Sequence, residues 1–166
     1  IAALVAIYSL GYTIERDVDA QAKTLIGADL VFDDNRPFSP AAQALIDSIG
    51  DRKSRERSFA SMVYFIKTGG TRLAQVRALE GGFPYYGNVE TSPAHIAKTF
   101  QQGKFALVDK TLLLQFQAAV GDSIKVGEER FQIAGEILKA PGKTGFSAAM
   151  APAVWIPLQY LDATGL

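Results

Sequence analysis

Changes in the spacing of apolar residues divide this chain into elements. Residues 1–14 (IAALVAIYSLGYTI) are uninterrupted by charge, and the first charged side chain is Glu15. The run falls short of the roughly 20 residues that a bilayer-spanning helix needs. Three readings stay open for it: the exit end of a spanning helix that begins upstream, the apolar part of a signal sequence, or a buried core helix. No small-residue cleavage pattern stands out before Glu15. The first residue is Ile1, not Met, which predicts a chain that is processed or cut from something longer. From Ile14 the spacing becomes that of a helix with one apolar face. Ile14, Val18, Ala22 and Leu25 share that face, and Glu15, Arg16, Asp17, Asp19 and Lys23 fill the others. Gly27 is placed to end the helix. The pattern predicts a stalk, a helix that continues directly from the apolar run and turns amphipathic.

Residues 28–32 (ADLVF) predict a strand, broken by the turn-forming residues 33–37 (DDNRP). Ser39 and Pro40 open a helix as cap and first-turn proline, with Ala41, Leu45, Ile46 and Ile49 on one face and Gly50 as its stop. Residues 51–57 (DRKSRER) read as a solvated charged loop. Residues 59–67 and 72–79 predict a hairpin turning at Gly69 and Gly70. An aromatic loop follows at 81–87 (GGFPYYG), then a short helix from Ser92 and Pro93 to Gly103. Residues 105–108 predict a buried strand, and Asp109 caps a helix running from Lys110 to about Gln117. Between Val120 and Gly135 the period drops to two, the mark of a β-hairpin, here turning at 127–130. Residues 140–149 form a loop of small residues, 154–158 a last strand, and 161–164 the start of a helix. The order predicts an α+β fold with two parts, a mixed α/β part and a smaller β-rich part, preceded by the N-terminal stalk helix.

Composition narrows the function more than the fold. The 166 residues are 48% apolar and 20% charged, which is ordinary for a globular chain with a sizeable core. Seventeen basic and seventeen acidic residues balance, so no clustered positive surface argues for a nucleic-acid partner. The absence of cysteine removes disulfides, thiolate metal sites and thiol nucleophiles. His95 is the only histidine, and no His-x-His or His-Glu-x-x-His spacing exists for zinc. Residues 145–149 (GFSAA) faintly resemble a nucleophile elbow around Ser147. The required strand before and helix after are missing, and the histidine precedes the serine instead of following it. Gly142, Lys143 and Thr144 match the end of a phosphate-binding loop, but its first glycine position is Ile137. Asp33 and Asp34 lie in a turn, where aspartate serves the backbone. No catalytic, cofactor or metal site is expected, and the chain is read as a non-enzyme.

Several segments together resemble a known family. Residues 21–31 (QAKTLIGADLV), directly after an apolar helix, look like the start of the extracytoplasmic domain of FtsX-like ABC transporter permeases, the MacB-like periplasmic core domain, with the YbbP-type subgroup nearest. Arg36 and Pro37 before a helix, residues 59–63 (FASMV) and the Phe83-Pro84-Tyr85-Tyr86-Gly87 loop fit that subgroup. So do residues 120–124 (VGDSI), 131–135 (FQIAG), 156–158 (IPL) and 163–166 (ATGL). The resemblance runs over essentially the whole chain, and the loop from Pro141 to Ser147 matches nothing in it. It implies the end of a transmembrane helix and stalk at 1–26, a mixed α/β porter-like part at 27–117, a β-rich part at 118–138, and a return to the first part at 139–166, with further strands beyond. It also implies a dimeric permease in the inner membrane, a cytoplasmic ABC ATPase partner, and an outer domain that couples ATP-driven helix motion to a lipid, lipoprotein or peptide substrate or to a partner. No residue-level site carries over, because the shared motifs look like turn and packing residues. Phe83, Tyr85 and Tyr86 are the expected contact for a partner or lipid, weighed against half-buried loop packing. A tethered or secreted lipid- or peptide-binding module without an ATPase is the alternative, and a preformed apolar cavity would favour it. A small hydrolase centred on Ser147 is the third reading.

Overall fold

The computed structural model describes residues 12, 17, 18, 21–34, 36–140 and 152–166 of the chain. The apolar run 1–11 and Ile14, the Gly142-Lys143-Thr144 segment and the elbow-like residues 145–149 with Ser147 lie outside the described residues. Helix α1 is helical at 12, 17, 18 and 21–26. Among the described residues no helix is long and apolar enough to cross a membrane.

Helix α2 (Pro40–Ser48) starts as its sequence predicts, with Ser39 Oγ accepting from Ala42 N. It buries none of its residues, so Leu45 remains exposed. Seven strands follow: β1 (Arg55–Phe65), β2 (Gly70–Glu80), β3 (Glu90–Ser92), β4 (Phe105–Asp109), β5 (Ser123–Val126), β6 (Glu129–Lys139) and β7 (Ala153–Pro157). Two short helices, α3 (Ile96–Thr99) and α4 (Lys110–Gln115), lie between them.

The strands form one sheet in the order β3-β6-β4-β7-β2-β1-β5, and β5 pairs again with β6. Six strands therefore close into a ring, with β3 added along β6. The parallel pairs are β2 with β7 and β4 with β6; the other neighbours run antiparallel. Closure removes most free edges and encloses a core of side chains, as in small barrels. Alternation assigns each side chain to a face. Val63, Phe65, Val76, Val108, Ile124, Phe131, Ile133, Val154 and Ile156 fill the interior. On the outside, Leu79, Phe100, Leu107, Ile137 and Trp155 form a second cluster, packed with Ile96 of α3 and Phe105. Strands β5 and β6, which make up most of residues 118–138, hydrogen-bond to β1, β3 and β4, so the sheet is continuous across residue 118. The architecture is α+β, with a mixed sheet and few helices.

Most predicted elements are present, and four differ. Residues 28–32 are not a strand, because no strand of the sheet pairs with them and an extended segment without a partner has no ladder. The charged stretch 51–57 is not wholly loop: Arg55, Glu56 and Arg57 open β1 and face Glu80, Leu79 and Ala78 of β2. Backbone pairing tolerates charge where the side chains reach solvent. Ser92 does not start a helix but ends β3, a strand too short to show a period; α3 begins only at Ile96, and a 3₁₀ turn (Phe100–Gln102) continues it. Residues 162–164 form a 3₁₀ turn closed by Gly165 in the left-handed region.

Candidate functional site

Among the described residues, the end of helix α1 meets the loop at 81–87 that follows β2. Gly27 ends α1 with φ +79°, its N–H donating to the Lys23 carbonyl at 2.7 Å. This is a left-handed helix end, which glycine adopts without cost. The Gly27 carbonyl accepts from the backbone N–H of Tyr85 at 2.7 Å and of Tyr86 at 3.3 Å. The Phe83 ring lies against the bare Cα of Gly27: a methyl group there would sit 2.8 Å from Phe83 Cε2 and 3.1 Å from Pro84 Cβ. Gly27 is buried as a result.

The side chains of the loop tighten the same junction. The Tyr86 hydroxyl donates to Asp29, 2.9 and 2.8 Å from its two carboxylate oxygens. Lys23 Nζ bonds Asp29 Oδ1 at 2.7 Å and stands 5.4 Å from the Tyr86 ring centre. The Lys23 bond, then the Tyr86 hydroxyl, hold the Asp29 carboxyl below its ordinary value, with Arg52 adding a weaker field. Tyr85 shares a hydrogen bond of 2.8 Å with Ser54, the residue before β1, and its ring faces the Arg52 guanidinium at 5.4 Å. At the base of the loop Gln101 spans both groups of Gly81, accepting from its N–H at 3.1 Å and donating to its carbonyl at 3.0 Å.

Phe83 reaches the sheet through Arg77 of β2. The guanidinium lies 5.5 Å from the Phe83 ring centre and 4.9 Å from that of Trp155 on β7. Its Nε and Nη2 donate to the two Glu56 oxygens, each at 2.6 Å. Such a two-point fork is stronger and more directional than a single ion pair.

The structure thus brings together all three residues singled out from sequence, Phe83, Tyr85 and Tyr86. Each is half-buried and engaged within the chain. Arg77, Glu56, Ser54 and Trp155 were missed, because each reads as an ordinary strand or turn position. His95 is exposed just before α3, and Asp34 accepts from Arg36 N at 3.0 Å, the turn role expected of it. Among the described residues no three His, Asp or Glu side chains approach as metal ligands would. The junction offers positioned rings, one forked ion pair and backbone hydrogen bonds. Those groups hold two elements together.

Comparison with known proteins gives the family. The model of the MacB-like periplasmic core domain matches residues 1–165. The chain belongs to this family. It is a MacB-like periplasmic domain, of the kind found in ABC transporter permeases. The uncharacterized ABC transporter permease YbbP of Escherichia coli K12 is 27% identical over 166 residues, which cover 99% of this chain and 20% of that protein. The MacB-like domain described here therefore spans about one fifth of that relative's length. A domain described as part of a permease protein from Porphyromonas gingivalis has a TM-score of 0.49 at 14% identity, covering 71% of this chain and 56% of that one. The periplasmic region of MacB from Actinobacillus actinomycetemcomitans has a TM-score of 0.43 at 8% identity, covering 73% and 56%.

Proposed function

We propose that this chain is the extracytoplasmic part of an ABC transporter permease in the inner membrane. It couples ATP-driven movement of the membrane helices to substrate export or partner regulation on the periplasmic side. Its partners in this reading are a cytoplasmic ABC ATPase subunit, acting through the rest of the permease, and a second permease copy. The substrate class is lipid, lipoprotein or peptide. Residues 1–26 serve as span end and stalk, 27–117 as the porter-like part, 118–138 as the β-rich part, and 139–166 return to the first part. The observation that carries the reading is the junction at Gly27. A helix conducts displacement along its axis because its hydrogen bonds are local. The Tyr85 and Tyr86 amides and the Phe83 ring fasten its end to the loop that follows β2. The solvent-facing remainder of Phe83, Tyr85 and Tyr86 is the proposed contact for a partner or lipid beside the stalk.

The test uses the intact permease with its ATPase. Spin labels at Gln21 on the stalk and Lys125 on β5 report their separation through the ATP cycle. Coupling predicts that both move relative to the ATPase while their mutual distance holds. A stalk that moves while Lys125 stays fixed would end the reading.

An open, mainly apolar cleft of 560 Å³ supports the alternative of a lipid- or peptide-binding module without an ATPase. Leu113, Leu114, Pro93, Ala118 and Val120 line it, with Glu136 and Gln117 as polar neighbours. Its volume is within the range of ligand sites, about 300–1,000 Å³. Saturable binding of a fluorescent fatty acid, lost when the exposed cleft residue is changed in Leu114→Asp, would favour this reading; no binding would remove it.

A further inference from the structure

Arg77 is where the junction enters the sheet. Its side chain is 14% exposed and touches three elements besides its own: Glu56 on β1, the Phe83 ring in the loop, and Trp155 on β7. Trp155 is directly opposite it in the register of β2 and β7, on the outer face of the sheet. The Trp155 ring is 2% exposed, and its Nε1 has no acceptor among the described residues. Among the described residues, what orients the ring is therefore what packs against its faces.

We propose that Arg77 is the positioning residue of the junction. Glu56 fixes the guanidinium along one edge, which leaves the planar cation to hold Phe83 and Trp155 together. A push on the Phe83 ring at Gly27 then reaches β7 in the middle of the sheet. A planar cation can do this and a lysine cannot, because an ammonium is a point charge that cannot fork to a carboxylate while lying against two rings. The proposal deepens the coupling reading and rests on it for its purpose, though not for its geometry.

Trp155 is the only tryptophan, so the indole emission of the chain comes from this site alone. Phe83→Leu removes the ring without straining the backbone and is expected to shift that emission. In an Arg77→Met background, which keeps an apolar stem of similar length, the shift caused by Phe83→Leu is expected to be lost. This is a double-mutant cycle read on a spectroscopic signal. If Arg77 only added stability, Arg77→Met would lower the unfolding midpoint and the Phe83→Leu shift would persist in both backgrounds, which would overturn the proposal. If far-UV circular dichroism shows Arg77→Met to be unfolded, Arg77→Lys takes its place. It keeps the charge but not the fork, and the same loss or persistence decides. The two readings fail separately. An intact cycle with a stalk and sheet that move apart during ATP turnover removes coupling alone. Stalk and sheet moving together without the cycle remove Arg77 alone.

Discussion

At the scale of single residues, the junction depends on one missing side chain and one carboxylate. Gly27 combines a left-handed backbone with a ring packed on its Cα, so both conformation and space exclude a larger residue. Gly27→Ala is expected to destabilise by about 1–2 kcal/mol from the backbone alone, and further wherever Phe83 cannot withdraw. Urea unfolding measures it, and an unchanged midpoint would mean that the helix end and the aromatic loop are not packed together. Asp29 responds to pH instead. Its carboxyl is held below the ordinary value of 3.8, first by the Lys23 bond and then by the Tyr86 hydroxyl. A depressed carboxyl contributes its stabilisation above the unfolded value and loses it as pH falls through the folded one. The stalk-to-loop tie is therefore expected to be intact above about pH 4 and to weaken below it. In Tyr86→Phe the Asp29 titration, followed by carboxyl carbon shifts, is expected to move up toward 3.8. A titration that stays where it was would show that the hydroxyl does not serve the carboxylate.

At the scale of elements, the sequence shows what is local and hides what is not. The β1–β2 hairpin, the β5–β6 hairpin, the buried β4 and the Asp109 cap on α4 all follow from period and turn chemistry, since each is decided by residues close in the chain. Residues 28–32 show the limit. They have the composition of a strand, yet whether they become one depends on an edge that composition does not describe. The junction shows it again. Gly27 reads as a helix stop and residues 81–87 as an aromatic loop, and no periodicity joins positions so far apart. Only the family resemblance marked both, through the motifs around Gly27 and Phe83. Arg77 had no signal, because a polar residue on an alternating strand is unremarkable until its neighbours are known. The turn between β5 and β6 is a further case. Gly127 has φ +57°, and a methyl group there would run into the Thr164 carbonyl, the same oxygen that accepts from Glu128 N at 2.8 Å. What reads as a simple hairpin glycine therefore also seats the turn near the end of the chain. Gly127→Ala is expected to cost about 2–3 kcal/mol, from backbone strain and the displaced hydrogen bond. Rising amide exchange at Glu128 and Thr164, with the β1–β2 hairpin unaffected, would locate the damage.

At the scale of the whole molecule, the decisive feature is that the sheet closes. β5 is the shortest strand of the ring, pairing with Val63 to Phe65 of β1 on one side and the first residues of β6 on the other. Ile124 sits on this strand, fully buried in the interior cluster between Phe65 and Phe131, its register partners. A closed ring transmits a local displacement around itself in both directions, whereas an open sheet would splay at its edge. Under the proposed function, that property lets a push at Gly27 move the whole body. It also fixes how the molecule unfolds. If the ring is one cooperative unit, Ile124→Ala should cost about 2–5 kcal/mol, the usual price of a large cavity in a packed core. The loss should be felt equally at Trp155, which is on the other face of the sheet and on a strand that does not pair with β5. Denaturant transitions followed by indole emission and by far-UV circular dichroism should then coincide in both proteins and shift together. A variant whose β5–β6 region melts first, with the Trp155 transition left at its original midpoint, would mean that the β-rich part folds as a separate unit. The ring would then be a chain of contacts with a weak joint, and motion entering at the stalk would stop before β5.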